Sequence, residues 1–274
     1  MKVALVQLGY GDEESVAERV DRVAGIVREQ AGHDLVVLPE LWSAGGFAYD
    51  TWESRADTPS GAVATAMSTA ARDAAVTLHA GSIVETSVDG TTGPEGKDLW
   101  NTSLVFGPDG TLQATYRKIH RFGFGAGEPR LMEAGELVVT TPLPDGHGGT
   151  VTAGLSTCYD LRFPELYRAQ LDAGAKVFVI PAAWPRKRVT HWTLLAHARA
   201  IENQCVVLAC NTAGTHSGHE MGGHSQVVLP TGEAVAMAGL NEQVLSVDID
   251  LGVVDEWRAA FPVLADRRLP IHAH

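Results

Sequence analysis

The sequence predicts a layered α/β fold with mixed sheets, and three observations carry that prediction. Apolar runs of strand length alternate with segments of helical periodicity from the first residues onward. Two turn signals, Pro-Asp-Gly at 108–110 and Pro-Thr-Gly at 230–232, insert antiparallel hairpins among strands that helical crossovers make parallel. No composition break or linker divides the 274 residues, so 1–274 reads as a single domain.

The elements follow in order. "KVALVQL" (2–8) reads as a strand, and residues 13–30 place Val16, Val20, Val23, Ile26 and Val27 at the spacing of an amphipathic helix. "HDLVVLPE" (33–40) reads as a buried strand ending in Pro39-Glu40. Pro59-Ser60 is a start signal for a helix running to about Asp73. "VTLHAGSIVE" (76–85) is the next strand, and the polar, glycine-rich segment 86–98 reads as a hairpin loop. Residues 99–118 form two strands around the first turn. Beyond them the pattern predicts strands at 151–157, 176–184 and 205–211, helices near 163–173 and 190–203, and a second hairpin at 224–239.

Composition narrows the functional classes. A formal net charge of −12 argues against nucleic acid and anionic membrane as partners, because both demand a basic footprint. The N-terminal segment lacks the apolar region and cleavage site of a signal peptide, and no stretch approaches the ~18 apolar residues of a membrane span. Cys158, Cys205 and Cys210 have no CxxC spacing, which fits reduced thiols and predicts a cytoplasmic protein. The histidines of "THSGHEMGGH" (His216, His219, His224) match no metal-site spacing and read as part of a flexible loop. "GTTGPEGKD" misses the P-loop pattern, and no GxSxG is present.

Three polar residues each follow an apolar strand: Glu40 after "DLVVLP", Lys118 after "TLQATYR" and Cys158 after "VTAGLST". Sites in α/β sheets gather beyond strand ends, where side chains leave the sheet. A carboxylate, an ammonium and a thiol form a coherent set there. The carboxylate takes the thiol proton as sulfur attacks, the ammonium supports an oxyanion, and the N–H of Tyr159 offers a second donor. On the residues alone other readings stand. Cys158 serves as a packed strand residue, Glu40 as a helix cap and Lys118 as a solvated strand end.

"LVVLPELW" (35–42), "YRKIH" (116–120) and "STCYDLRFPELYR" (156–168) resemble, in order, the three signature segments of the nitrilase superfamily of carbon–nitrogen hydrolases. "AHARAIENQCVVLACNTAG" (196–214) and "GGHSQVVLPTGEAVA" (222–236) are similar to its later stretches. The resemblance implies a four-layer α-β-β-α sandwich and a catalytic set of Glu40, Lys118 and Cys158, with a thioester acyl-enzyme and no cofactor. It further implies a second glutamate on the loop after the lysine. Glu128 is preferred there, with Glu133 as the alternative and Glu136 also on that loop.

"CYDLRFPELYR" is most similar to the branch of omega-amidases, which implies hydrolysis of a small linear carboxamide to acid and ammonia. A carbamoylase is the close alternative, a nitrilase is disfavoured by Cys-Tyr-Asp in place of Cys-Trp-Glu, and a non-catalytic binding protein of the same fold is the reading from another class. Family resemblance also implies a homodimer or larger homo-oligomer. Tyr159 and Asp160 are expected to shape the nucleophile turn, while Arg162 with Glu165, and Arg199 with Glu202, are expected to form structural ion pairs. His120 is expected to be packed or hydrogen-bonded, and Arg130, Arg186 and Lys187 are candidate contacts for a substrate carboxylate.

Overall fold

The computed structural model describes residues 1–269. Its first half runs β1 (Lys2–Gln7), α1 (Val16–Arg28), β2 (Leu35–Val37), α2 (Ala62–Ala74), β3 (Thr77–Thr86), β4 (Leu99–Phe106) and β5 (Leu112–Arg117). A short helix α3 (Glu128–Leu131) and β6 (Thr140–Pro144) lead into the second half. That half contains β7 (Thr150–Leu155), α4 (Pro164–Asp172), β8 (Val177–Pro181), α5 (Val189–Asn203) and β9 (Val206–Cys210). The strands β10 (Thr215–His216), β11 (His219–Glu220), β12 (Gln226–Val228), β13 (Ala234–Met237) and β14 (Gln243–Asp248) follow, and then α6 (Gly252–Ala260).

Two six-stranded mixed sheets result, in the orders β14-β1-β2-β3-β4-β5 and β13-β12-β9-β8-β7-β6. In each, three strands joined by helices lie parallel and a hairpin adds antiparallel strands on one side. The remaining edge is closed antiparallel by β14 on β1 and by β6 on β7. The two sheets thus share one pattern.

The period-two alternation of the strands sets the layers. Ala4, Val6 and Val36 face α1 and α2, packing with Val20, Val23, Val27, Met67 and Ala71. Val3, Leu5, Leu35 and Val37 point the other way and meet Val177, Val179, Val206 and Leu208 of the second sheet. The outer face of that sheet, through Phe178, Ile180 and Val207, packs on Leu166, Trp192, Ala196 and Ala200 of α4 and α5. The order of layers is therefore helix, sheet, sheet, helix. Burying each of the Val, Leu, Ile, Phe and Met side chains contributes about 1.5–3 kcal/mol, so the three clusters dominate cohesion.

Several boundaries have physical causes that sequence reading did not capture. Helix α1 starts at a capping box in which Ser15 and Glu18 satisfy each other's backbone N–H. Ser60 does not cap α2. Gly61 occupies the cap position, and Asp57, held to the edge of β3 by backbone bonds, accepts from Val63 N at 2.7 Å. The strands β6 and β14 and helix α6 were not anticipated. β6 carries Pro142, which an edge strand tolerates, and β14 is largely exposed.

The histidine segment is not a flexible loop. β10 and β11 form a short hairpin, and His216 is buried with its ring stacked on Tyr10 at 4.5 Å. Burial brings its pKa down to about 4. No helix among the described residues is long and apolar enough to cross a membrane.

Candidate active site

Cys158 opens a 3-10 turn, Cys158–Arg162, directly beyond β7, with its backbone in the left-handed region at φ +48°. A non-glycine residue there stores strain that the surroundings must hold. The buried carboxylate of Asp160 does the holding. It accepts from Thr157 N at 2.8 Å, Tyr116 Oη at 2.7 Å, His120 N at 2.9 Å and contacts His120 Nδ1 at 2.8 Å. Asp160 therefore ties the nucleophile turn to the segment that bears Lys118. His120 is packed as expected, stacked on Phe163 at 3.8 Å.

Lys118 follows β5 and is almost wholly buried. Its Nζ donates to Glu40 Oε1 at 2.7 Å and to both oxygens of Glu128 at 2.9 Å. Glu40 lies two residues beyond Leu38, in the turn after β2, and its Oε2 accepts from Ala183 N at 2.8 Å, just past β8. Glu128 sits at the start of α3, where Gly127 takes φ +72° and a Cβ would crowd Phe122 O at 2.9 Å. The Phe122 N–H also donates to Glu128. Of the three glutamates on that loop, Glu128 is the one that reaches Lys118. The Glu133 carboxylate instead accepts from Glu95 N and Lys97 N, bracing the 86–98 loop, and Glu136 is exposed.

One partner was missing from the sequence reading. Asn101, in the middle of β4, donates through Nδ2 to Glu40 Oε1 at 2.9 Å and to Glu128 Oε1 at 2.7 Å. The available signal was a lone carboxamide within a strand of apolar and hydroxyl residues; all eight positions of that strand are buried.

Lys118, Glu128 and Cys158 each respond to burial and to the charges around them. Burial alone would lower the Lys118 pKa, but Glu128 and Glu40 outweigh it and raise it well above its ordinary value. Burial raises the Glu128 carboxyl, with Lys118 opposing and the like charge of Glu40 adding. Burial, then the Glu40 charge beside it, push the Cys158 thiol well up, while Lys118 pulls the other way. The resting arrangement is a neutral thiol next to a carboxylate and an ammonium. Such a thiol needs a base at the moment of attack.

The pocket over Cys158 is walled by Phe47, Phe122, Tyr159, Trp184 and Pro185, with Arg162 and Arg188 at its side. Here the structure corrects two expectations. Arg162 and Glu165 make no ion pair with each other: Arg162 lies over the Trp184 ring at 4.6 Å and its guanidinium contacts His191 Nδ1 at 3.3 Å, while Glu165 is exposed. Among the described residues neither Arg162 nor Arg188 has a carboxylate partner within 4 Å. Burial, and then the like charge of Arg188, lower the Arg162 pKa. The other expectation concerned Arg130, Arg186 and Lys187, which are exposed and do not line this pocket; Arg186 pairs with Glu220. Arg199 and Glu202 do pair, at 2.7 Å. A larger surface cavity beside the 86–98 loop, lined by Trp100, Arg117 and Leu137, contains none of the site groups.

Comparison with known proteins places the chain in a family. The profile of the carbon-nitrogen hydrolase family matches residues 2–259. A 2-oxoglutaramate amidase of Paenarthrobacter nicotinovorans is 45% identical over 273 residues, covering 100% of this chain and 91% of the relative. The human omega-amidase NIT2 is 33% identical, covering 99% of this chain and 96% of the relative. Among solved structures, Nit3 of Saccharomyces cerevisiae, a member of branch 10 of the nitrilase superfamily, superposes with a TM-score of 0.84 at 32% identity, over 98% of this chain and 97% of that one.

Proposed function

The chain belongs to the carbon–nitrogen hydrolase family and is an amide hydrolase of the omega-amidase kind, and from that premise we propose that its substrate is a linear amide with a carboxylate at its far end, cleaved through a Cys158 thioester. The observation that carries the substrate reading is the pair of guanidiniums, Arg162 and Arg188, beside the nucleophile and without carboxylate partners among the described residues. Two like charges held together in a partly buried pocket suit an anionic ligand. The relatives named for 2-oxoglutaramate fit that chemistry, since its amide and a carboxylate stand at opposite ends of one short chain.

In the proposed reaction, Glu40 takes the Cys158 proton as sulfur bonds to the amide carbon. Two donors already occupy Glu40 Oε1, so the proton lands on Oε2. The developing oxyanion is met by Lys118, which gives up one of its two contacts with Glu128, and by the Tyr159 N–H in the first positions of the turn. Collapse breaks the carbon–nitrogen bond, Glu40 returns the proton to nitrogen, and ammonia leaves. Water then attacks the thioester with Glu40 as base, the carbon–sulfur bond breaks, and the acid departs as the thiol regains its proton. Glu128 keeps Lys118 charged and in place throughout.

The test is ammonia release from ω-amides of dicarboxylates, neutral aliphatic amides, nitriles and carbamoyl compounds, with Cys158→Ala as control. Release from carboxylate-bearing amides, absent in the variant, is expected. Equal rates on neutral amides, or turnover by Cys158→Ala, would refute the reading.

A further inference from the structure

We infer that Asn101 is a positioning residue for this reaction, handing one N–H of its carboxamide to each of Glu40 and Glu128 and so fixing both as carboxylates around the single ammonium of Lys118. Glu40 Oε1 and Glu128 Oε1 each accept from both Lys118 Nζ and Asn101 Nδ2, at 2.7–2.9 Å, in a closed ring of two donors and two acceptors. Two buried carboxylates on one ammonium leave unbalanced negative charge. The two N–H groups of a primary amide supply the missing donors without adding charge.

The rest of the residue points the same way. Asn101 is buried in β4, and its Oδ1 has no hydrogen-bond partner among the described residues. A buried unpaired acceptor is a cost, and the opposite amide orientation would aim that oxygen at two carboxylates. The carboxylates therefore dictate the orientation. The Asn101 carbonyl also accepts from Lys118 N at 2.8 Å, so its backbone places the lysine while its side chain places the lysine's partners. Serine or threonine offers one donor, and aspartate offers lone pairs where hydrogens are needed. A primary amide at this distance is the group that fits.

The inference rests on the reading of Glu40 as base for Cys158. Removing a donor from a carboxylate favours its neutral form, so a higher pH is needed to ionise it, and the acid limb of the rate profile moves up. The other groups facing the two carboxylates are Lys118 and Cys158 in contact, with Tyr49 and Tyr10 further out.

The experiment compares wild type, Asn101→Ala and the isosteric Asn101→Asp, each checked for a cooperative thermal transition. Ammonia release and alkylation of Cys158 by iodoacetamide are followed from pH 5 to 9. In both variants the acid limb is expected to move up by about one pH unit, and kcat/KM at pH 7 to fall about ten- to a hundredfold with KM little changed. The folded variant decides if the other is unstable. A limb that coincides with that of wild type, or a loss confined to KM, overturns the inference. If wild type itself neither releases ammonia nor alkylates at Cys158, the underlying reading falls and the inference falls with it.

Discussion

Replacing Arg162 with methionine tests the proposed substrate chemistry most directly, because it removes a charge and keeps an apolar stem over Trp184. The guanidinium is half-buried beside Cys158, its ring neighbours are Trp184 and Tyr159, and no protein carboxylate competes for it among the described residues. A carboxylate about 4 Å away at an effective dielectric near 20 would gain about 4 kcal/mol before desolvation. After desolvation, a hydrogen bond to a charged group is worth about 1.5–3 kcal/mol, or about ten- to a hundred-and-fiftyfold in kcat/KM. The assay is ammonia release from an ω-amide of a dicarboxylate and from a neutral amide of equal length. The loss should fall on the first and largely spare the second, with KM carrying most of it. Thermal stability should hold or rise, since Arg162 and Arg188 repel each other. Equal losses on both substrates would refute the reasoning and return Arg162 to a packing role.

Three further outcomes are expected. Lys118→Ala removes the group that anchors Glu40 and Glu128, and should cost about 3–4 kcal/mol of transition-state stabilisation; an unchanged kcat/KM would contradict its role. His79 is buried and its pKa is brought down to about 4 by burial, so below about pH 6.5 the unfolded chain binds a proton that the folded chain refuses. Stability is therefore lost as pH falls from 6.5 towards 4, by about 2 kcal/mol at pH 5, and His79→Asn should flatten the fall in Tm between pH 7 and 5. Cys205, remote from the pocket with its thiol beside Arg258, is dispensable: Cys205→Ser should fold and keep its kcat.

What the sequence disclosed and what it hid divide along physical lines. Strands β1, β3, β7, β8 and β9 were legible because their apolar runs are bounded by turn residues, and Glu40, Lys118 and Cys158 stood out as polar groups at the ends of such runs. Strands β6 and β14 were not, since exposed or proline-bearing edges lose the apolar signal. Asn101 lay hidden because its partners are 61 and 27 positions away, a pairing that only the sheet creates. Arg162 misled for a different reason. The acidic Glu165 nearby suggested a structural ion pair, but Arg162 ends the turn that precedes the helix begun by Pro164, and its guanidinium lies beside the pocket.

The pairing of β1 with β14 bears on how the chain is made. Lys2 faces Asp248 across that ladder, so β1 leaves the ribosome well before the strand it pairs with. At about 5–20 residues per second the interval is on the order of ten to fifty seconds. Throughout it, one margin of an apolar strand is open to any passing polypeptide. Pairing of β1 with β2 is available early and covers the other margin, through Val3, Ala4 and Leu5. Slow translation late in the message would lengthen the exposure, and chaperone demand during expression should track the time at which residues 243–248 emerge.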